Sequence, residues 1–168
     1  MARLGSQTPT KSVILPYTET NGQMAIDLYN ESGNTAQEWQ EIQLNNILAT
    51  NEDGLWTHSK YGYAVPRRNG KGEILIMREL YGIHIGEHIL HTAHLASTSS
   101  AAAYRLAKCL DNMGYTEVIR YKKGEIYDKH YVFHKQFGLE RITLLKEGGG
   151  EVRFRTRTSR GGLGEGFD

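Results

Sequence analysis

The strongest constraint on this chain lies between Tyr61 and Met113. There apolar residues recur at every second position, then all round a helix, then along a second strand and a second helix. Tyr61-Gly62-Tyr63-Ala64-Val65 combines aromatic and β-branched residues and is cut off by Pro66, which predicts a strand. From Gly70 onward, Ile74, Leu75, Ile76, Met77, Leu80 and Tyr81 cover nearly every direction around a helix axis, so that helix is predicted to lie inside a domain. Glu87 to Thr92 reads as a strand, and Thr98-Ser99-Ser100 caps a helix whose Leu106, Cys109, Leu110 and Met113 form one apolar stripe. Such alternation predicts an α/β fold built on a parallel sheet with crossover helices.

The flanks are read with the same rules. Ser12 to Tyr17 is a short extended segment, and Met24 to Tyr29 a brief helix or strand. A clearer helix is predicted from Thr35, with Glu38 as its capping-box partner, to about Ala49. On it Gln40, Leu44, Ile47 and Leu48 share a face, so a polar amide turns inward with the apolar residues. Beyond Met113, Val118 to Tyr121 reads as a further strand, while Tyr127 to Phe137 is aromatic-rich without a readable period. Arg141 to Leu145 and Glu151 to Arg157 flank the turn Gly148-Gly149-Gly150 as a hairpin. No period of 20 to 50 residues repeats, which excludes solenoids and propellers.

The 168 residues are 39% hydrophobic and 23% charged, which fits one domain with a real core. Twenty Lys and Arg against nineteen Asp and Glu leave a formal charge of +1, so any contact with nucleic acid must be local. The single cysteine, Cys109, excludes an internal disulfide and suits a reducing compartment. No apolar run approaches the ~20 residues of a membrane span, and no apolar stretch follows the first residues, so a cytosolic protein is expected.

The most informative stretch is Val65-Pro66-Arg67-Arg68-Asn69-Gly70-Lys71-Gly72-Glu73, set between a predicted strand and the start of a buried helix. Phosphate binding needs that context. Amides at a helix start are unpaired, the helix dipole is positive there, and Lys71 adds a point charge for the terminal phosphates. Against the pattern G-x-x-x-x-G-K-[ST], Gly70 and Lys71 are kept, while Val65 stands at the first glycine and Gly72 at the hydroxyl position. The missing hydroxyl removes a direct side-chain ligand for Mg²⁺, which would be held by water, nucleotide and a carboxylate elsewhere. The plainer alternative is a basic surface turn, for which Asn-Gly with cationic neighbours is ordinary chemistry.

Pro66-Arg67-Arg68-Asn69-Gly70-Lys71-Gly72-Glu73 resembles the Arg-containing Walker A variant of the large terminase subunit of tailed bacteriophages, the motor that packages viral DNA. Ile14-Leu15-Pro16-Tyr17 and Glu38-Trp39-Gln40 resemble the family's upstream elements, the latter its adenine-contact segment; core packing is the alternative for Trp39. His91-Thr92-Ala93-His94 with Thr98-Ser99-Ser100 is similar to its second core strand and helix, and Gly161 to Asp168 to its approach to Walker B.

The resemblance implies an additional-strand P-loop fold, of which this chain is the N-terminal portion, stopping before the Walker B strand and the nuclease domain. It implies ATP and Mg²⁺ as ligands. Lys71 would contact the β and γ phosphates, with a catalytic role shared by Arg68, and the backbone of Gly70, Lys71 and Gly72 would cradle them. Arg67 and Arg68 would add charge, Asn69 and Glu73 complete the loop, and Trp39 and Gln40 hold adenine. Implied partners are double-stranded DNA, a small terminase subunit, the portal protein, the remaining C-terminal part and other copies in a homo-oligomer. The implied place is the host cytoplasm, transiently at the procapsid portal. Without the carboxylates that orient water, binding of ATP without hydrolysis is expected, and an exposed sheet edge would invite association.

Rival readings rest on other clusters. His84, His88, His91 and His94 are spaced 4, 3 and 3, a zinc pattern on a helix; on a strand His88 and His91 point to opposite faces. Arg153, Arg155 and Arg157 alternate along a strand toward Arg160, as a solvated face or a DNA-contacting one. Tyr127, Tyr131, Phe133 and Phe137 suit core packing or base stacking. These features support a non-catalytic nucleic-acid-binding or assembly module as the alternative function, and a helicase-like P-loop protein as a relative of the first.

Overall fold

The turn at Gly148-Gly149-Gly150 sets the geometry of the sheet. So short a connection returns the chain antiparallel beside the strand it has just left. The structure, a computed structural model, describes residues 5–122 and 125–157. In chain order they form β1 (Glu19–Thr20), α1 (Gly22–Glu31), α2 (Glu38–Ile47), β2 (Ala49–Thr50), α3 (Lys71–Ile85), β3 (His88–Ala93), α4 (Ala96–Asn112), β4 (Thr116–Glu117), β5 (His130–His134), β6 (Arg141–Leu144) and β7 (Glu151–Thr156). β1 and β2 make a small antiparallel pair, and the other strands a five-stranded sheet in the order β3-β7-β6-β5-β4.

The protein is therefore α/β, but the sheet is mixed rather than parallel as predicted. β3 pairs parallel with β7 and β4 with β5, while β6 runs antiparallel to both its neighbours. The single crossover α4 obeys the expected rule, carrying the chain from β3 to β4 and the parallel set. The hairpin interrupts that set.

One face of the sheet is apolar, because alternate residues along each strand point the same way. Register places Ile89, His91, Val152, Phe154, Ile142, Leu144, Tyr131 and Phe133 on it. Both α3 and α4 cover this face: His91 meets Glu79 of α3, while Phe133 packs edge-on against Tyr104 of α4. Ile74, Met77, Leu80 and Ile83 of α3 and Leu106, Cys109 and Leu110 of α4 are fully buried there. Each such Leu or Ile contributes about 1.5–3 kcal/mol through removal from water. α1 and α2 form a further layer, joined to α3 through Ile26, Tyr29 and Leu44.

Several local expectations shift. Met24 to Tyr29 is helical, within α1. α2 starts later than read, with Gln37 rather than Thr35 as its cap, and the Gln40 side chain accepts from the Gln37 amide at 2.8 Å. Gln40 is buried, as its face predicted. α4 begins at Ala96 with Leu95 as cap, so Thr98-Ser99-Ser100 lies within the helix, at its third to fifth residues. The strand placed at Val118 to Tyr121 is instead Thr116–Glu117, and the aromatic stretch contains β5.

Tyr61 to Val65 is not a strand. Its side chains do alternate, with Tyr61, Tyr63 and Val65 half-buried and Gly62 and Ala64 exposed, but no neighbouring strand supplies hydrogen bonds. A period-2 pattern gives a segment one apolar face, and a ladder still requires a partner edge. The predicted glycine-rich approach, Gly161 to Asp168, lies outside the described residues, as does Arg160.

Candidate phosphate-binding site

Two residues of the loop before α3 adopt the left-handed conformation: Arg68, with φ 66°, and Gly70, with φ 71°. Glycine carries such a φ without penalty, whereas a residue with a Cβ adopts it at a steric cost. Gly70 is the cap residue of α3, and no side chain caps the helix. Of the first amides, Glu73 N–H donates to Gly70 O at 3.1 Å. The start of α3 thus keeps the open donors and positive dipole end that the sequence reading requires of it.

Arg67, Arg68, Asn69, Gly70, Lys71 and Gly72 are all exposed. The Asn69 amide donates back to Pro66 O at 3.3 Å, closing the turn. From below, the buried Gln40 amide donates to Gly70 O at 3.0 Å, and Tyr63 O–H donates to Lys71 O at 2.9 Å. Gln40 therefore reaches the loop from α2, with its amide engaged by Gly70 and Gln37. Trp39 lies half-buried beside it, its ring N–H donating to the Gln37 side chain at 2.9 Å.

Glu73 behaves differently from its exposed neighbours. Its carboxylate accepts from Tyr29 O–H at 2.5 Å and from Arg105 Nη2 at 3.0 Å. Burial, then the Glu73 hydrogen bond, pushes the Tyr29 hydroxyl well above the ordinary tyrosine range. Neither Tyr29 nor Arg105 carries a sequence signal for this role, since they meet Glu73 from 44 and 32 positions away.

Behind the helix start runs a cleft of about 640 Å³, lined among others by Lys71, Gly72, Leu75, Ile76, His91 and Arg105. His91 is buried and bonded through Nδ1 to Glu79 Oε1 at 2.5 Å, with its ring tilted against Phe154 at 5.1 Å. Burial raises the Glu79 carboxyl above its usual range, against the influence of His91 and Arg78.

The remaining clusters separate. His84 bonds Leu80 O at 2.6 Å and Tyr115 O–H at 3.0 Å, on the far end of α3 from the loop. His88 is exposed where His91 is buried, as a strand predicts, and the described residues hold no group of three or more metal-binding side chains. Tyr131 and Phe133 belong to the core, while Phe137 is exposed. Arg153 and Arg155 share with Arg141 the sheet face opposite the apolar one, and Arg157 follows β7, its amide donating to Ala93 O at 2.6 Å. Arg153 and Arg141 converge on Glu151, at 2.6 and 3.5 Å. Burial opposes ionisation of Glu151, yet its bonds to Arg153 and Thr143 and the nearby Arg141 outweigh it and hold its carboxyl below the usual range.

No helix among the described residues is long and apolar enough to cross a membrane. Compared with protein-family models, with curated proteins and with solved structures, the chain matched none.

Proposed function

We propose that this chain binds ATP at the start of α3, as the nucleotide-binding portion of a DNA-packaging motor of the large-terminase type. The observation that carries the reading is the uncapped helix start behind left-handed Gly70, with Lys71 beside it and Arg67 and Arg68 exposed on the preceding turn. Phosphate oxygens at that point accept from backbone amides and meet three cations, the combination that stabilises a polyphosphate. Lys71 and the backbone of Gly70 and Gly72 hold the phosphates in this reading, and Gln40 holds the loop.

Mg²⁺ would arrive with the nucleotide. Gly72 offers it no hydroxyl, and the Glu73 carboxylate is engaged by Arg105 and Tyr29, so phosphate oxygens and water supply its ligands. Double-stranded DNA, a small terminase subunit, a portal and the rest of a motor chain are the partners this reading proposes. The P-loop assignment of the fold belongs to the same proposal.

The test is calorimetric titration of MgATP into the chain and into Lys71→Ala, with phosphate release recorded from the same samples. Binding in the parent and a loss of tenfold or more in a folded Lys71→Ala is expected. Equal binding by both would remove the loop from the site.

The row of Arg141, Arg153 and Arg155 favours a second reading, a nucleic-acid-binding module. Arg141, Arg153 and Arg155 lie on one sheet face, where Glu151 pairs with Arg141 and Arg153, and clustered guanidiniums are the groups that phosphate contacts use. Replacing all three by Ala would then weaken binding to a double-stranded oligonucleotide and flatten its salt dependence, whereas the ATP reading expects MgATP binding to be unaffected.

A further inference from the structure

Within the first turn of α3, Glu73 is the residue least suited to an anion site. Its carboxylate stands two positions after Lys71, in the same turn whose amides face the proposed phosphates. An uncompensated negative charge there opposes a polyphosphate at a distance where screening by solvent is incomplete. Three other segments compensate it. Tyr29 of α1 donates to Oε2, and Arg105 of α4 reaches both oxygens, with Nε at 3.2 Å from each and Nη2 at 3.0 Å from Oε2. Asn34, between α1 and α2, fixes the guanidinium by accepting from Nη2 at 2.7 Å, and donates in turn to Ser32 Oγ at 2.6 Å.

Arg105 also lines the cleft with Lys71 and Gly72, so its charge is felt at the helix start as well as at Glu73. A guanidinium matches a carboxylate with a planar fork that an ammonium cannot reproduce. We infer that Arg105 is a positioning residue for anion binding at the start of α3: it acts through Glu73, cancelling that charge and locking the first turn of the helix to α1 and α4. The inference rests on the nucleotide reading above. The Glu73 hydrogen bond, against the cost of burial, holds the Arg105 guanidinium still more firmly protonated.

Removing Arg105 alone leaves the Glu73 carboxylate with the neutral Tyr29 hydroxyl but without the guanidinium that cancels its charge beside the phosphates, and removing the Glu73 charge as well abolishes the repulsion. Tripolyphosphate and MgATP are titrated into the parent chain, Lys71→Ala, Arg105→Met and the double variant Arg105→Met with Glu73→Gln, each checked for folding by thermal melting. Arg105→Met is expected to weaken both ligands about tenfold, and the double variant to return within about threefold of the parent. A double variant as weak as the single one makes Arg105 a packing residue and overturns the inference, as does Lys71-dependent binding indifferent to Arg105→Met. Binding insensitive to Lys71→Ala, or absent from the folded parent, overturns the nucleotide reading and this inference with it. Where Arg105→Met does not fold, Arg105→Lys keeps the cation without the fork. It is then expected to fall between parent and loss, and parent-like binding by it overturns the claim.

Discussion

The two ends of α3 are both marked by a left-handed glycine, Gly70 before it and Gly86 after it, yet one end is open and the other sealed. At the carboxyl end Glu87 N–H returns to Gly82 O at 2.9 Å and Gly150 N–H donates to Ile83 O at 2.8 Å. The buried Glu87 carboxylate is clasped by Arg78, with oxygens 2.5 and 2.9 Å from the two guanidinium nitrogens, and that guanidinium lies over Trp56. At the amino end no side chain caps the helix, and the cations stand exposed. Acceptors at the end of the helix are met here by backbone amides of the protein, whereas no side chain caps the donors at its start. A left-handed glycine thus flanks each of two differently finished ends, and the difference lies in what the rest of the chain brings to them.

That contrast breaks most readily at its sealed end. A Cβ on Gly150 would stand 2.2 Å from Glu87 O and 2.8 Å from Glu87 N, both backbone atoms that cannot yield independently. Gly150→Ala should therefore cost about 3 kcal/mol, the upper range for forced overpacking, measured by urea unfolding. The open end should tolerate change better. Gly70→Ala places a side chain at φ 71° and 3.1 Å from the Gln40 amide nitrogen, a cost of about 1 kcal/mol in stability on the same assay. An equal cost at both ends would dissolve the comparison.

The smallest expected effect lies in the last turn of α3. Burial lowers the His84 imidazole below its ordinary 6.5, so the fold prefers it neutral, with Nδ1–H donating to Leu80 O and Nε2 accepting from Tyr115. Because the folded value is the lower one, its contribution is fully present above about pH 6.5 and declines as pH falls below it through the lowered value. Thermal melts from pH 7.5 to 5.5 should show that decline, smaller than the effect at Gly70 and reduced in His84→Gln, where the similarly lowered His134 still contributes.

What the sequence made legible is what depends on near neighbours. The apolar surround of α3, the stripe on α4, the hairpin of β6 and β7 and the inward turn of Gln40 all follow from residues a few positions apart. Tyr61 to Val65 has the pattern of a strand and lacks the neighbour, a condition no local pattern encodes. β5 hid among aromatic and polar residues because its His130, Val132 and His134 do not present a uniformly polar face. At the candidate site, spacing singles out residues 67–72, which the structure places together, exposed, at the start of α3. Glu79 was concealed in an apolar helix, and its partner His91 twelve positions away resembled one histidine among several. Arg105 was concealed likewise, since its contacts with Glu73 and Asn34 join segments far apart in the chain.

The bond from Gln40 to Gly70 O has a further consequence, in entropy. A loop of glycine, asparagine and arginine would ordinarily sample many shapes, and a ligand that selected one of them would lose affinity in proportion to the freedom it removed. Here the buried amide from α2 and the Tyr63 hydroxyl fix two consecutive carbonyls, those of Gly70 and Lys71, while the helix forms. Most of that ordering is completed during folding, so the anion proposed to bind there would have only the exposed side chains left to immobilise.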